Sequence, residues 1–240
     1  MSEWFGSWFD SPYYHKLYNN RDFNEAEKFI SKLIEYLEPH NSATFLDLAC
    51  GRGRHSVHLN KLGLFVSGAD YSANSIKEAK AFENDDLKFY EHDMRTPFTN
   101  KYNYILNLFT SFGYFNTEKE HIDTLKHIYN GLHQNGIFVL DYLNSVFVID
   151  NLVKKETIQR DHLNFHITRK VEDNKIKKTI SFKDQKEYIF EESVMAFNYS
   201  SLIRLNADIG FKLMDCFGDY NLSSYKESTS QRLILIFKKC

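Results

Sequence analysis

Thr44-Phe-Leu-Asp-Leu-Ala-Cys-Gly-Arg-Gly-Arg-His-Ser56 is the stretch whose reading decides the fold. It opens on Phe45, Leu46 and Leu48, short and apolar in the manner of a strand buried in a parallel sheet. The run breaks at Gly51-Arg52-Gly53, and from His55 the apolar residues Val57, Leu59 and Leu62 fall at helical spacing. A strand, a glycine turn and a helix make the first βα unit of a doubly wound sheet, where ligands bind outside the carboxyl ends of the strands. On this reading Gly51 lets the chain turn sharply, and Gly53 lets a ligand approach the backbone with no Cβ in the way.

Two residues separate this turn from a dinucleotide site. The dinucleotide fingerprint wants Gly or Ala at its sixth position, and Ser56 stands there. Asp47 adds a carboxylate inside the strand, which would repel a pyrophosphate and favour a ligand with a cationic centre. Leu46-Asp47-Leu48-Ala49-Cys50-Gly51-Arg52-Gly53 closely resembles motif I of the class I S-adenosylmethionine-dependent methyltransferases. The resemblance implies a Rossmann-like α/β fold, a seven-stranded sheet with its last strand antiparallel, and S-adenosyl-L-methionine as cofactor.

Further along, Gly63 to Asp70 reads as a second strand ending in an acid, 19 residues after Gly51. That is close to the roughly 20 expected for a carboxylate on a ribose diol, although Asp70 could instead cap the helix starting near Ser72. Asp70-Tyr71-Ser72 matches the family's acid-x-Ser step, and Leu87–Tyr90 is a third strand, followed by Asp93-Met94. In the resembling family the acid there faces the adenine amine and its apolar neighbour lies under the ring. The same resemblance puts Ala49, Cys50, Tyr71, Asn107 and Leu108 among the cofactor-binding residues, beside Asp47, Gly51, Gly53, Asp70, Asp93 and Met94. Tyr102–Phe109 and Ile137–Tyr142 read as strands four and five, with a helix between them stopped by Asn135-Gly136.

Seven aromatic residues crowd the first eighteen: Trp4, Phe5, Trp8, Phe9, Tyr13, Tyr14 and Tyr18. They form either an arm packed on the core or a lid over a sulfonium, to which aromatic faces are attracted. As a lid, Tyr14 and Tyr18 would bind the cofactor and Arg21 would pair with its carboxylate. A helical face at Phe23, Ala26, Phe29, Ile30, Leu33, Ile34 and Leu37 follows. From about residue 151 the period turns to two: Leu163, Phe165 and Ile167, then Ile176, Ile180 and Phe182, then Tyr188, Phe190 and Val194. The expected organisation is an arm and helix at 1–38, a cofactor-binding core at 39–150, an inserted antiparallel β-sheet at 151–197 serving as substrate roof or dimer contact, and completion of the core at 198–240.

Methyl transfer from a sulfonium mainly requires nucleophile, methyl and sulfur to be held in line, and proximity alone can recover about 7–11 kcal/mol. Tyr14 and Tyr114 are the candidate catalytic residues, with His15, Tyr18 and Tyr142 as further groups able to orient an amine or relay its proton. Asn107-Leu108-Phe109-Thr110 replaces the Asn/Asp-Pro-Pro-Tyr/Phe of nucleobase amino-methylating enzymes, and no cysteine follows a proline. With a net charge of -2, both absences argue against nucleic acid. Asp93-Met94-Arg95, Phe109-x-Ser111-x-Gly113 and the late β-rich block resemble bacterial N,N-dimethyltransferases of nucleotide-linked amino sugars. The acceptor is thus expected to be a small molecule methylated at an amine. The rivals are a nicotinamide-dependent oxidoreductase and a non-catalytic scaffold of the same fold. No metal site, membrane span or signal peptide is expected, and three scattered cysteines point to reduced thiols in the cytoplasm. An exposed edge of the inserted sheet could pair two subunits as a homodimer.

Overall fold

In the computed structural model, which describes residues 4–18 and 23–240, the chain opens with α1 (Trp4–Phe9), α2 (Pro12–Leu17) and α3 (Phe23–Leu37). The α/β core follows as β1 (Thr44–Leu48), α4 (Arg54–Lys61), β2 (Phe65–Asp70), α5 (Ala73–Ala79), β3 (Leu87–Glu91), β4 (Tyr102–Asn107), α6 (Glu118–Gly131) and β5 (Leu132–Leu143). After α7 (Ser145–Asp150) come β6 (Lys155–Arg160), β7 (Leu163–Glu172), β8 (Lys175–Lys183) and β9 (Glu187–Met195). The chain then returns through α8 (Tyr199–Ala207), β10 (Phe211–Phe217) and β11 (Arg232–Lys239).

Two sheets result. The larger has the order β10-β11-β5-β4-β1-β2-β3, with β11 antiparallel to both its neighbours, as the family resemblance implies. Alternation along β1 fills two layers: Phe45 packs with Phe29, Ile30, Leu33 and Leu59 on one face, Leu46 and Leu48 with Leu125, Ile128 and Leu202 on the other. The smaller sheet, β6-β7-β8-β9, is wholly antiparallel and lies within the expected insertion. Asp173 and Asn174, both with positive φ, turn β7 into β8.

Two boundaries differ from expectation. α6 ends at Gly131, where a Cβ would lie 2.7 Å from the Phe98 ring, and β5 starts at once with Leu132. Asn135-Gly136 lies inside β5, with Asn135 at positive φ, so it breaks the strand's regularity and does not stop the helix. α7 was not anticipated, because six residues are too few to display a helical period.

The small sheet is tied to the core where β9 ends. The Met195 N–H donates to Gly113 O (2.8 Å), and the Tyr142 hydroxyl donates to Met195 O (2.6 Å). Tyr142 is fully buried and its hydroxyl is committed to this tie, so it is a structural residue and not an orienting group. Gly113 has φ +94°, and a Cβ there would sit 2.3 Å from the Tyr142 hydroxyl. Gly113→Ala should therefore cost about 2 kcal/mol or more, or roughly 4–8 °C in Tm by calorimetry. An unchanged melting midpoint would show that the junction relaxes freely.

Candidate active site

The carboxyl ends of β1, β2 and β4 form the floor of a cavity of about 730 Å³, roofed by the arm and the inserted sheet. That volume lies within the roughly 300–1,000 Å³ of small-molecule sites. The floor is made by the glycine turn. Gly51 has φ +56°, and nothing lies within 4 Å of where a Cβ would be, so the cavity comes right up to its backbone. Asp70 ends β2 beside it. One of its carboxylate oxygens accepts Gly51 N–H and the other Ser72 N–H, both at 2.8 Å, which leaves lone pairs on each for a diol. Burial pushes this carboxyl up, and the two N–H donors act against that shift. The cap of α5 is Ser72, whose side chain accepts from Ser75 N–H, so Asp70 is not the cap.

Tyr14, Tyr18, Ala49, Cys50, Gly51, Asp70, Tyr71, Asp93, Met94, Leu108 and Tyr114 all line this cavity. His15 does too, held neutral with a pKa pushed down to about 4 by burial and by Arg52. Asp93 keeps its charge: burial would raise its pKa, but Arg95 bonds both oxygens and lowers it overall. Arg21 lies outside the described residues. Three candidates are not in the cavity wall. Gly53, at φ +80°, packs its bare Cα against Phe89, whose ring would be 2.6 Å from a Cβ, so its role is helix packing. Asp47 is 1% exposed and accepts the Ser56 hydroxyl at 2.6 Å, which ties β1 to α4. The serine that breaks the dinucleotide fingerprint is therefore the partner of the strand carboxylate. Asn107, also 1% exposed, spends its amide N–H on Leu48 O and so links β4 to β1.

The roof joins the aromatic arm to inserted-sheet residues that the sequence did not single out as site residues. Trp8 is fully buried and, with Leu17, covers Leu163, Phe165, Ile167, Ile180 and Phe182 on the inner face of the inserted sheet. Arm and sheet are bonded together: Trp8 Nε1–H and the Tyr18 hydroxyl each donate to Glu192 Oε1 at 2.7 Å, and the Tyr13 hydroxyl donates to Asp184. At its other end the arm is bonded to the core. Asp10 accepts from the Ser72 hydroxyl and from Asn74, one turn beyond Asp70. One row of the inner sheet face is charged: Arg169, Lys178 and Glu192, cross-strand neighbours on β7, β8 and β9, and all three line the cavity. Arg169 pairs with Glu156, and Lys178 with Glu192 and the Tyr18 hydroxyl. The signal for them was present, since each interrupts the apolar members of its strand's period-two register.

These features suit S-adenosylmethionine. Asp70 ends β2, where the resemblance implies a ribose carboxylate, Asp93 and Met94 follow β3, where it implies the adenine contacts, and at Gly51 the backbone is open to the cavity. A family profile described as a methyltransferase domain matches residues 39–193. The chain belongs to this methyltransferase family. Among curated relatives, a glycine/sarcosine N-methyltransferase of Halorhodospira halochloris is 26% identical over 92% of this chain and 83% of its own. A dTDP-3-amino-3,4,6-trideoxy-alpha-D-glucopyranose N,N-dimethyltransferase of Streptomyces venezuelae is 25% identical over 59% of this chain and 60% of its own. In fold, an S-adenosylmethionine-dependent methyltransferase of Clostridium acetobutylicum superposes with a TM-score of 0.80, at 19% identity, over 95% of this chain and 96% of its own. The methyltransferase is thus an S-adenosylmethionine-dependent enzyme, and the nicotinamide and scaffold readings fall away. Among the described residues no helix is long and apolar enough to cross a membrane, and no cluster of His, Cys, Asp or Glu could hold a metal ion.

Asp47 gives the site a pH signature. Burial raises its pKa from 3.8 to about 6, against the Ser56 hydrogen bond and the Arg54 charge. A carboxyl whose folded pKa exceeds its unfolded value holds its proton more tightly in the native state. Its contribution is therefore neutral below about pH 4 and becomes a penalty as pH rises through 6. Asp47→Asn keeps an acceptor for Ser56 and cannot ionise. In urea melts it should match the parent at pH 4 and exceed it at pH 8 by up to about 3 kcal/mol. A variant that loses ground to the parent at pH 8 would show that the ionised form is favoured by its partners.

Proposed function

We propose that the acceptor is a small amine carrying an acidic group, bound between the glycine turn and the charged row of the inserted sheet. The observation that carries this reading is the row itself. Arg169, Lys178 and Glu192 interrupt the apolar inner-face positions of β7, β8 and β9 and present both signs of charge to one cavity. Partly buried charges are retained where they are paired or used. Arg169 gives Nη donors to Glu156 and to Val153 O, and its planar fork has further N–H donors for a carboxylate. Glu192, with the Tyr18 hydroxyl, offers the opposite charge to an ammonium. The names of the relatives, an amino-acid N-methyltransferase and an amino-sugar N,N-dimethyltransferase, agree in putting the methyl on nitrogen.

On this reading bound S-adenosylmethionine supplies the methyl group, and the chain supplies position and exclusion of water. Asp70 accepts the ribose hydroxyls, Asp93 and Met94 receive the adenine, and Ala49, Cys50, Gly51, Tyr71 and Leu108 complete the donor side. Tyr14 and Tyr114 line the cavity beside Phe9, with Phe9 in edge contact with both, and orient the amine. Arm and inserted sheet form one roof, residues 4–18 together with 151–197. The outer face of the sheet is polar apart from Ile189 and Met195, the latter packed against the core, which supports a roof more than a dimer contact; a homodimer through the edge strands β6 or β9 is checked by light scattering. The three cysteines are free thiols, in keeping with a cytoplasmic enzyme.

Two measurements test this. Asp70→Ala should weaken S-adenosylhomocysteine binding in calorimetry about tenfold or more, since charge-assisted bonds to the diol contribute roughly 1.5–3 kcal/mol each. Unchanged affinity in a folded variant would move the donor elsewhere. With glycine, sarcosine, an amino-sugar nucleotide and benzylamine as acceptors, methyl transfer should favour the acidic amines. Arg169→Met should raise their KM about tenfold or more and leave S-adenosylhomocysteine affinity unchanged. A preference for benzylamine, or an Arg169→Met enzyme with the parent's KM, would overturn the reading.

A further inference from the structure

Beyond the end of β4 the chain does something expensive. Phe109 and Thr110 are consecutive residues at positive φ (+64° and +60°), neither is glycine, and both line the cavity. Side chains rarely adopt this backbone region, and where they do the surroundings must hold them there. What holds this corner is an ion pair from elsewhere in the sheet, between a buried carboxylate and a partly exposed arginine at the cavity wall. Asp141, on β5 and fully buried, accepts Phe109 N–H on Oδ2 at 2.8 Å, and its backbone carbonyl accepts Thr110 N–H at 2.9 Å. Arg232, at the start of β11, donates through Nε and Nη2 to Asp141 Oδ1 (2.8 and 2.7 Å) and through Nη2 to the Thr110 hydroxyl (3.0 Å). Two guanidinium groups lie over the Phe109 ring, Arg54 at 4.7 Å and Arg232 at 5.5 Å from its centroid.

We propose that the Asp141–Arg232 pair is a positioning device for the methyl donor. It fixes the left-handed Phe109–Thr110 corner, and through it the cavity wall next to Leu108 at the carboxyl end of β4. Neither residue was singled out by the sequence, because the two lie 91 positions apart and the corner lies a further 32 before Asp141. A pair needed only for stability would have no reason to spend its bonds on two strained residues in the cavity wall. The geometry also sets the requirement for arginine. Lysine is a point charge that can pair with Asp141 but has no fork to reach Asp141 and Thr110 in one plane. The proposal rests on the donor lying along the ends of β1, β2 and β4, and the test separates the two.

Binding of S-adenosylhomocysteine is measured by calorimetry at 15 °C for the parent and for Arg232→Lys, Thr110→Val, Asp70→Ala and Leu202→Ala. Leu202, on α8, is buried away from the cavity and controls for lost stability. Arg232→Lys should weaken binding about tenfold or more and Thr110→Val about threefold, while Leu202→Ala stays within about twofold of the parent. If Arg232→Lys fails to fold, Thr110→Val removes a single bond of the same device and carries the test alone. Weakened binding in Asp70→Ala with parent-like affinity in Arg232→Lys and Thr110→Val would overturn the positioning role and leave the donor site standing. Parent-like affinity in all of these cavity variants would overturn both. Equal loss in Leu202→Ala would reduce the pair to a stabilising one.

Discussion

The inserted sheet has one apolar face, and that face cannot be left in water. Leu163, Phe165, Ile167, Ile180 and Phe182 would expose far too much surface on a four-stranded sheet standing off the core. The chain meets this with its own beginning: Trp8 and Leu17 cover the apolar rows, and Glu192 takes hydrogen bonds from Trp8 and Tyr18. At the charged row the arm only bonds to Glu192 and Lys178, through Trp8 and Tyr18, and Arg169, Lys178 and Glu192 still line the cavity. Coverage of the apolar part and exposure of the charged part to the cavity are thus one arrangement. The roof of the active site follows from how the insertion is buried.

Beneath the roof, the carboxyl edge of the large sheet floors the cavity, and several of its residues take left-handed backbone conformations. Ala49, Gly51, Phe109 and Thr110 all have positive φ and all line the cavity. Each is held by something rigid behind it. Ala49 N–H donates to Ala69 O, Gly51 N–H to Asp70, and the Phe109–Thr110 corner to Asp141. Asp10 then joins the arm to Ser72 and Asn74, so the roof is registered against the same turn that presents Asp70. Holding reactants in line between two such surfaces is the kind of task that methyl transfer sets.

The large sheet was legible because buried parallel strands are short apolar runs between glycine and polar breaks, as at Phe45–Leu48 and Ile137–Tyr142. The insertion was legible from the change of period after residue 151. The place of Gly51 and Asp70 in the cavity wall was legible too, because both belong to one local turn. Three things were hidden, for distinct reasons. Asp47 and Gly53 occupy positions where a ligand role and a packing role look alike in sequence, and only Ser56 and the Phe89 ring decide between them. Partners such as Trp8 and Glu192 lie 184 residues apart, and no local pattern links them. The charged row was in plain view as a fault in the register, at Arg169, Lys178 and Glu192, but a period-two reading attends to the residues that fit.

Hydrogen exchange on the Trp8→Ala protein tests the central claim most directly, that the arm exists to bury the inner face of the insertion and thereby roofs the site. The account predicts lost protection across residues 163–168, 176–182 and 188–194, with β1, β4 and β5 exchanging as in the parent. Unchanged protection in those three strands, or an equal loss throughout the large sheet, would contradict it.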